Sequence, residues 1–163
     1  MVRAFYAACM LGSRMFKHLL LPTDGSALAA KGVKSGVRLA KALGARVTGV
    51  YVIEPYMPPM APEAAVMAVP ALDPREYEKA AQAQAAKALA RLEREARAAG
   101  VRSTREFVTA PQPWQGILKV ARAKRCDGVV IASHGRGGLG GLLLGSQTAR
   151  VLAHSKIPVL VIR

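Results

Sequence analysis

The sequence GVVIASHGRGGLGGLLLGSQTARVL at residues 128–152, followed by KIPVLVI at 156–162, decides the fold of this chain. Its first five residues, 128–132, form a short β-branched apolar run that is typical of a fully buried parallel strand. A glycine-rich connection then leads to Ser146, which stands where a helix N-cap is expected. The run at 156–162 predicts a last strand, with a proline near its start where a missing N–H is tolerated. Strand, glycine loop, helix and strand together predict a βαβ unit.

The glycine loop of this unit indicates a phosphate-binding site. Glycines let a backbone approach an anion closely, and the first turn of a helix offers N–H groups with partial positive charge. Arg136 in the loop and the hydroxyls of Ser146 and Thr148 add further donors. The alternative is a flexible connection that binds no ligand, and the residue types favour phosphate binding over it.

Two better-known phosphate motifs do not fit this loop. The glycine spacing over residues 135–140 matches the letters of the dinucleotide-binding fingerprint, but that fingerprint belongs at a first βα turn. Here it follows the penultimate strand, and no Asp or Glu occurs after Asp127 to hold a ribose. The loop is not a Walker A sequence either, because no lysine stands between Gly145 and Ser146.

The rest of the chain repeats the alternation of strand and helix. Apolar periodicity, caps and breakers predict strands at 16–22, 46–54 and 102–109, and helices at 27–43, 73–99 and 114–124. With the last strand–loop–helix–strand unit, this order predicts an α/β fold. Its core is a single doubly wound five-stranded parallel sheet in the order 3-2-1-4-5, with helices on both faces.

The predicted topology also predicts where a ligand binds. In open α/β sheets, ligands bind at the carboxyl ends of the strands where the strand order reverses, here between strands one and four. Asp24 follows the first strand and Gly135 follows the fourth. We therefore expect these two residues, far apart in the sequence, to face one crevice.

Length and composition set the domain organisation. The 163 residues suit one domain, which would bury about 70% of the surface that its unfolded chain exposes. Residues 1–14 indicate an N-terminal appendage and residues 15–163 the α/β domain. Six prolines and three methionines between 55 and 74 predict a long loop, which either covers an apolar edge or closes over a ligand.

Hydropathy and cysteine usage restrict the location of the protein. No apolar run reaches the ~20 residues that a membrane span needs. Two cysteines, Cys9 and Cys126, are too few for a disulfide framework, and Cys126 is expected to be a small buried hydrophobic residue. We expect reduced thiols, a cytoplasmic location and no membrane association.

The formal net charge of +14 raises the question of nucleic-acid binding. The basic residues are spread along the predicted helices, however, and no nucleic-acid-binding motif or interleaved aromatic residues accompany them. We expect non-specific binding to polyanions at low salt and no specific nucleic-acid partner.

Both ends of the chain resemble the universal stress protein family. The segments SHGR at 133–136, LLLGS at 142–146 and IPVLV at 157–161 are similar to the C-terminal signature of that family, and KHLLLPTDGS at 17–26 is similar to its first strand and turn. The likeness extends over residues 15–163. The signature of the ATP-binding branch is Gly-x-x-Gly, nine residues and Gly-Ser or Gly-Thr; this chain has Ala132 in place of the first glycine.

The resemblance implies a stress-response protein that binds ATP and acts as a sensor or regulatory module. It places Asp24 and Val52 near the adenine and the ribose, and Ile131 and Ala132 beside the sugar. The positions that it directs to the phosphates are His134, Gly135, Arg136, Gly145, Ser146, Gln147 and Thr148. Because Ala132 adds only one methyl group, we expect ATP binding to be weakened and not abolished.

Two other functions stay open at this point. A slow ATP hydrolase would bind Mg²⁺ mainly through the phosphates, because Asp24 is the only acid that the sequence places in the crevice. No catalytic residue and no protein metal ligand is predicted. A second branch of the family is thought to use the same fold as an interaction module without a nucleotide.

The last strand predicts a homodimer. Residues 157–162 are apolar on both faces, and no charged residue separates Lys156 from Arg163. In the order 3-2-1-4-5 this strand lies at a sheet edge, where unpaired backbone groups favour addition of a strand from a second copy. The resemblance also implies a dimer through this strand. The alternative is that residues 1–14 cover the edge within one chain.

Overall fold

The architecture is visible in a computed structural model that describes residues 16–57, 73–133 and 144–163. The predicted appendage at 1–14 and most of the predicted loop at 55–74 lie outside these ranges. In chain order the elements are β1 (His18–Pro22), α1 (Ala27–Leu43), β2 (Arg46–Ile53), α2 (Pro74–Ala98), β3 (Ser103–Thr109), α3 (Pro113–Ala123), β4 (Gly128–Ala132), α4 (Ser146–His154) and β5 (Val159–Ile162).

The strands form one parallel five-stranded sheet in the order β3-β2-β1-β4-β5. This confirms the predicted fold class and strand order. Strand β1 is central and buried along its whole length, as its continuous apolar run predicts. The strand order reverses between β1 and β4, so the carboxyl ends of these two neighbours define the crevice expected from the sequence.

Two apolar layers cover the sheet. On one face, Leu19 and Leu21 pack in a core with residues of α1 and α2; on the other, Leu20 packs with Ile117 of α3 and Val151 of α4. Successive side chains of a strand point to opposite faces, which explains the division within β1. The alternation continues in β4, where Val130 belongs to the first core and Ile131 to the second.

The helix ends follow local chemistry. The Ser26 hydroxyl accepts a hydrogen bond from Ala29 N–H at 3.1 Å, and Gly44 ends α1 with a φ of 64°. Asp73 Oδ1 accepts from Arg75 N–H at 2.9 Å at the start of α2. None of the helices within the described ranges is long and apolar enough to cross a membrane.

Candidate functional site

A cavity of about 380 Å³ opens at the carboxyl edge of the sheet, between the ends of β1 and β4. Its volume falls in the range of roughly 300–1,000 Å³ that is usual for small-molecule sites. Three of the residues expected at the phosphates, His134, Gly135 and Arg136, lie outside the described residues. The other residues expected from the sequence all line the cavity: Asp24, Val52, Ile131, Ala132, Gly145, Ser146, Gln147 and Thr148.

The cavity also contains residues that sequence reasoning did not identify. Pro113 and Ile117 of α3 form part of its wall, and Glu54 is a second acidic residue in the lining in addition to Asp24. The expectation that Asp24 is the only acid in the crevice is therefore wrong. A signal for Glu54 was present, because this residue directly follows β2 at the same sheet edge that Asp24 occupies.

One side of the cavity is an apolar slot. Val52, Ile117 and Ile131 come from β2, α3 and β4, and all three belong to the core beneath α3 and α4. Ile117 and Ile131 are buried, and Val52 is half-buried. A slot of this kind suits a flat apolar group, because contact with it removes apolar surface from water.

The Asp24 carboxylate is held by the turn between β1 and α1. Its Oδ1 accepts a hydrogen bond from Ser26 N–H at 2.9 Å, and Thr23 Oγ1 accepts one from Gly25 N–H at 3.2 Å. Gly25 has a φ of 82°, in the left-handed region that glycine adopts without strain. The turn therefore fixes a hydrogen-bond acceptor at one end of the cavity.

The first turn of α4 forms the other end of the cavity. Gly145, and not Ser146 as predicted, is the N-cap; Ser146 is the first helical residue, and the cap residue itself has no side chain to accept a bond from the helix. Gly145 takes the cap position because its backbone is extended, with φ −59° and ψ 144°, and its N–H donates to Ser133 O at 2.8 Å. The N–H groups of the first turn have no acceptor within the helix and carry its positive dipole end, so this turn can bind an anion.

Two side chains expected to contact phosphates also connect α4 to the elements around it. The Thr148 hydroxyl is buried and donates to Ala132 O at 2.9 Å, which attaches α4 to the end of β4. Gln147 Oε1 accepts from Trp114 N–H at 3.2 Å, at the start of α3. Trp114 packs against the core beneath α3 and α4. These bonds hold two walls of the cavity in a fixed relation.

The charge of the described cavity lining comes from acids. Asp24 and Glu54 carry carboxylates, and none of the described lining residues is a lysine or arginine. No group of three or more potential metal ligands occurs within residues 16–57, 73–133 and 144–163. The donors that the described lining offers to a ligand anion are therefore backbone N–H groups and uncharged hydroxyl and amide groups, among them those of Ser146 and Gln147 in α4.

These features define the class of protein. The chain is a doubly wound α/β domain with a ligand-sized cavity at its topological switch point. The family model of the universal stress proteins matches residues 15–163. The chain belongs to the universal stress protein family.

Known proteins agree with this assignment over most of their length. A universal stress protein of Thermus aquaticus is 31% identical over 153 residues, which covers 91% of this chain and 100% of that protein. The solved structure of the protein MJ0577 superimposes with a TM-score of 0.69 at 26% identity and covers 91% of this chain and 96% of that one.

Two solved family members contain nucleotides. A universal stress protein in complex with cAMP has a TM-score of 0.60 at 22% identity, and covers 91% of this chain and 97% of that one. A universal stress protein of Archaeoglobus fulgidus in complex with dAMP has a TM-score of 0.57 at 15% identity, and covers 91% of this chain and 99% of that one. At these identities the likeness shows the shared fold.

Proposed function

We propose that this protein binds ATP in the crevice between β1 and β4 and acts as a cytoplasmic sensor or regulatory module in the stress response. The observation that carries the proposal is that the first turn of α4, which begins at a glycine cap, and the apolar slot line the same cavity. A nucleotide has one flat apolar part and one anionic part, and these two surfaces match them.

The two ends of the cavity give the nucleotide a direction. The adenine occupies the slot of Val52, Ile117 and Ile131, where its rings gain apolar contact. The Asp24 carboxylate accepts hydrogen bonds from the ribose hydroxyls or from the base, since an ionised carboxylate is an acceptor only. The phosphates lie at Gly145 and the first turn of α4, where N–H groups and the helix dipole favour negative charge.

The remaining phosphate contacts rest on the sequence. His134, Gly135 and Arg136 approach the phosphates from the glycine loop, and Arg136 supplies the positive charge that the described lining lacks. A magnesium ion, where it accompanies ATP, is held mainly by the phosphates. The cAMP and dAMP complexes of family members support an adenine nucleotide as the ligand class.

Mass spectrometry of the gently purified and then denatured protein tests the proposal. Release of an adenine nucleotide, or its uptake after soaking in excess ATP, is the expected result. A protein that stays empty even after soaking would instead indicate an interaction module without a nucleotide.

Two substitutions on neighbouring strands sharpen this test. Val52 and Val108 are register partners in β2 and β3, both are half-buried in the same core, and only Val52 lines the cavity. Val52→Phe fills the adenine slot and should lower the retained nucleotide at least about tenfold, a loss of ~1.4 kcal/mol of binding. Val108→Phe is the matched control, which overpacks the same core and should retain the ligand. Equal retention by both variants would place the nucleotide elsewhere.

We further propose that two copies pair through β5. This strand is at the sheet edge, bonded to β4 on one side, and Leu160 is 46% exposed. Pairing about a twofold axis would satisfy the edge backbone groups and bury Leu160.

Sedimentation of the full chain and of a variant that starts at Met15 should show a dimer in both, and Leu160→Lys should weaken the dimer. A monomer in both chains would overturn the dimer, and a dimer only in the shortened chain would indicate that residues 1–14 cover the edge.

A further inference from the structure

A basic residue stands at the start of each of the five strands. Arg46 is the first residue of β2, Lys17 and Arg102 directly precede β1 and β3, and Arg125 and Lys156 come three residues before β4 and β5. All five side chains are exposed. We call these five residues the basic rim. The sequence predicts basic residues spread along the helices, but these five lie at the amino-terminal ends of the strands.

The register of the sheet arranges the rim in a row. Arg46 N–H donates to Lys17 O at 3.0 Å, and Val47 N–H donates to Arg102 O at 2.9 Å, so three of the basic residues are neighbours across β3, β2 and β1. Asp127 N–H donates to His18 O at 3.0 Å, which continues the row toward Arg125 and β4. Strands lie about 4.8 Å apart, so a row across five strands extends roughly 19 Å.

Helix electrostatics accounts for only part of the rim. Basic residues in the last turn of a helix complement its negative dipole end, which explains Lys41 of α1 and Arg97 of α2 at the same edge. Arg46 lies inside a strand, and Lys17, Arg102 and Lys156 lie in the connections just before strands. Lys156 and Arg125 also directly follow the C-caps of α4 and α3, so these helix ends favour them. Lys17, Arg46 and Arg102 lie beyond the last turn of any described helix, so their positive charge exceeds what the helix ends call for.

Acidic residues beside the rim leave most of its charge uncompensated. Both oxygens of Asp127 accept backbone N–H groups, from Lys17 at 2.7 Å and from His18 at 3.0 Å. Glu106 pairs with Lys124 at 2.6 Å. Neither of the ion pairs between described residues, Arg105 with Glu93 and Lys124 with Glu106, involves a member of the rim.

The shape and chemistry of the rim favour the backbone of a nucleic-acid duplex. A row of ~19 Å spans a length of B-form DNA that carries about eleven phosphate charges on its two strands, at roughly one charge per 1.7 Å of axis. The rim offers no exposed ring for stacking on single strands, because Phe16, beside Lys17, packs against the core. None of the five residues lies in a helix that could enter a major groove, so the rim does not recognise particular bases.

We propose that the basic rim is a sequence-independent docking surface for the phosphate backbone of duplex nucleic acid, at the sheet edge opposite the nucleotide cavity. This inference does not depend on the proposed function, because the two surfaces lie at opposite ends of the strands. The rim contacts phosphates only and therefore carries no sequence information.

Fluorescence anisotropy with a labelled DNA duplex of arbitrary sequence tests the proposal on the full chain, between about 50 and 200 mM salt. The rim variant carries Arg46→Gln, Arg102→Gln and Lys156→Gln. The control variant carries Lys34→Gln, Lys79→Gln and Lys87→Gln, three exposed lysines of α1 and α2. Both lose three positive charges, so only the position of the charge differs.

The rim variant should bind the duplex at least about tenfold more weakly at ~100 mM salt. Its salt slope, the slope of the logarithm of the binding constant against the logarithm of the salt concentration, should become shallower by about three. The control variant should lose less than about threefold. A second rim variant, Lys17→Gln with Arg125→Gln, removes different charges and should lower the slope by about two. Equal losses in the rim and control variants, no duplex binding at ~50 mM salt, or binding to vesicles of anionic lipid that exceeds duplex binding would each overturn the proposal.

Discussion

Gly32 of α1 lies directly over Ala132 at the end of β4: a methyl group built on Gly32 would be 3.1 Å from Ala132 N and 3.3 Å from its Cβ. Ala132 is buried at 6% exposure, and its methyl group faces the helix. The contact explains how a residue with a side chain fits at the position where the ATP-binding signature has a glycine. Because Gly32 has no side chain, it leaves room for the methyl group of Ala132.

Gly32→Ala should lower the free energy of unfolding by about 1–3 kcal/mol, the usual cost of overpacking. Ala132→Gly in the same chain should recover part of that loss, because residues in contact are energetically coupled. Urea unfolding of the two single variants and the double variant measures the coupling. If Gly32→Ala instead stabilises the protein by ~1 kcal/mol, as helix propensity alone predicts, the contact is not tight.

Thr148→Val should destabilise the protein by about 1–3 kcal/mol, because the buried Ala132 carbonyl loses the donor that Thr148 Oγ1 provides at 2.9 Å. Valine keeps the shape of threonine, so packing changes little. Thr109→Val is the matched control, since Thr109 is exposed at the end of β3 and should change stability by less than ~0.5 kcal/mol. Equal effects of the two substitutions in urea unfolding would argue against the Thr148 hydrogen bond.

His18 should make stability depend on pH. Its Nε2 lies 2.7 Å from Thr48 Oγ1, and Thr48 Oγ1 lies 2.8 Å from Thr104 Oγ1, so the ring belongs to a polar chain across three strands. Burial lowers the pKa of His18 below its ordinary value of 6.5, and Arg46 acts in the same direction. Asp127 and the backbone of Lys124 raise the pKa of His18, and the charge of Lys124 lowers it.

The lowered pKa means that the unfolded chain binds this proton more readily than the folded chain. Stability attributable to His18 is therefore intact above pH 6.5 and is lost as the pH falls below that value toward the folded pKa. Urea unfolding at about pH 7.5 and pH 5 should show a smaller acid loss in His18→Gln than in the native chain. His154→Gln, at an exposed position, should retain the native acid loss. If His18→Gln loses as much stability between about pH 7.5 and pH 5 as the native chain, groups other than His18 cause the loss.

Cys126 should be an inert thiol. It is buried at 7% exposure, and burial together with Asp127 raises the pKa of its thiol to about 11. Because the thiolate is the reactive form, a thiol reagent at about pH 8 should label Cys126 slowly in the folded protein and rapidly in urea. The measurement uses a Cys9→Ser chain so that one thiol is followed. Rapid labelling of the folded chain would contradict this expectation and would show that the segment before β4 exposes Cys126 to the reagent.

Much of the fold could be predicted because local signals and topology rules agree. The apolar runs of β1 and β4, the Ser26 cap and the Gly44 stop each act within a few residues, and the strand order follows from the βαβ sequence of elements. The sequence predicts the start of β5 three residues too early, at Lys156 instead of Val159. Pro158 lacks an N–H and contributes only its carbonyl, to Val129 N–H at 2.9 Å, so the strand begins at Val159.

The part of the site that could not be predicted depends on contacts between distant segments. Ile117 and Pro113 reach the cavity because α3 packs across the sheet, and no pattern within α3 distinguishes a cavity wall from a core face. The Thr148–Ala132 hydrogen bond likewise joins two separate segments, and no local pattern predicts it. The sequence predicts Ser146 as the α4 cap because serine is a strong N-cap residue, but the Gly145–Ser133 bond sets the helix start one residue earlier.

Calorimetric titration with ATP and with adenosine, on the native chain and on Gly145→Val with Ser146→Ala, tests the central claim most directly. If the first turn of α4 holds the phosphates, the native chain binds ATP at least about tenfold more tightly than adenosine. The double variant should lower ATP affinity about tenfold or more, through lost contacts worth roughly 1.5–3 kcal/mol, and leave adenosine affinity unchanged. Equal ATP affinity in both folded chains, or no heat with either ligand, would contradict a phosphate site at α4.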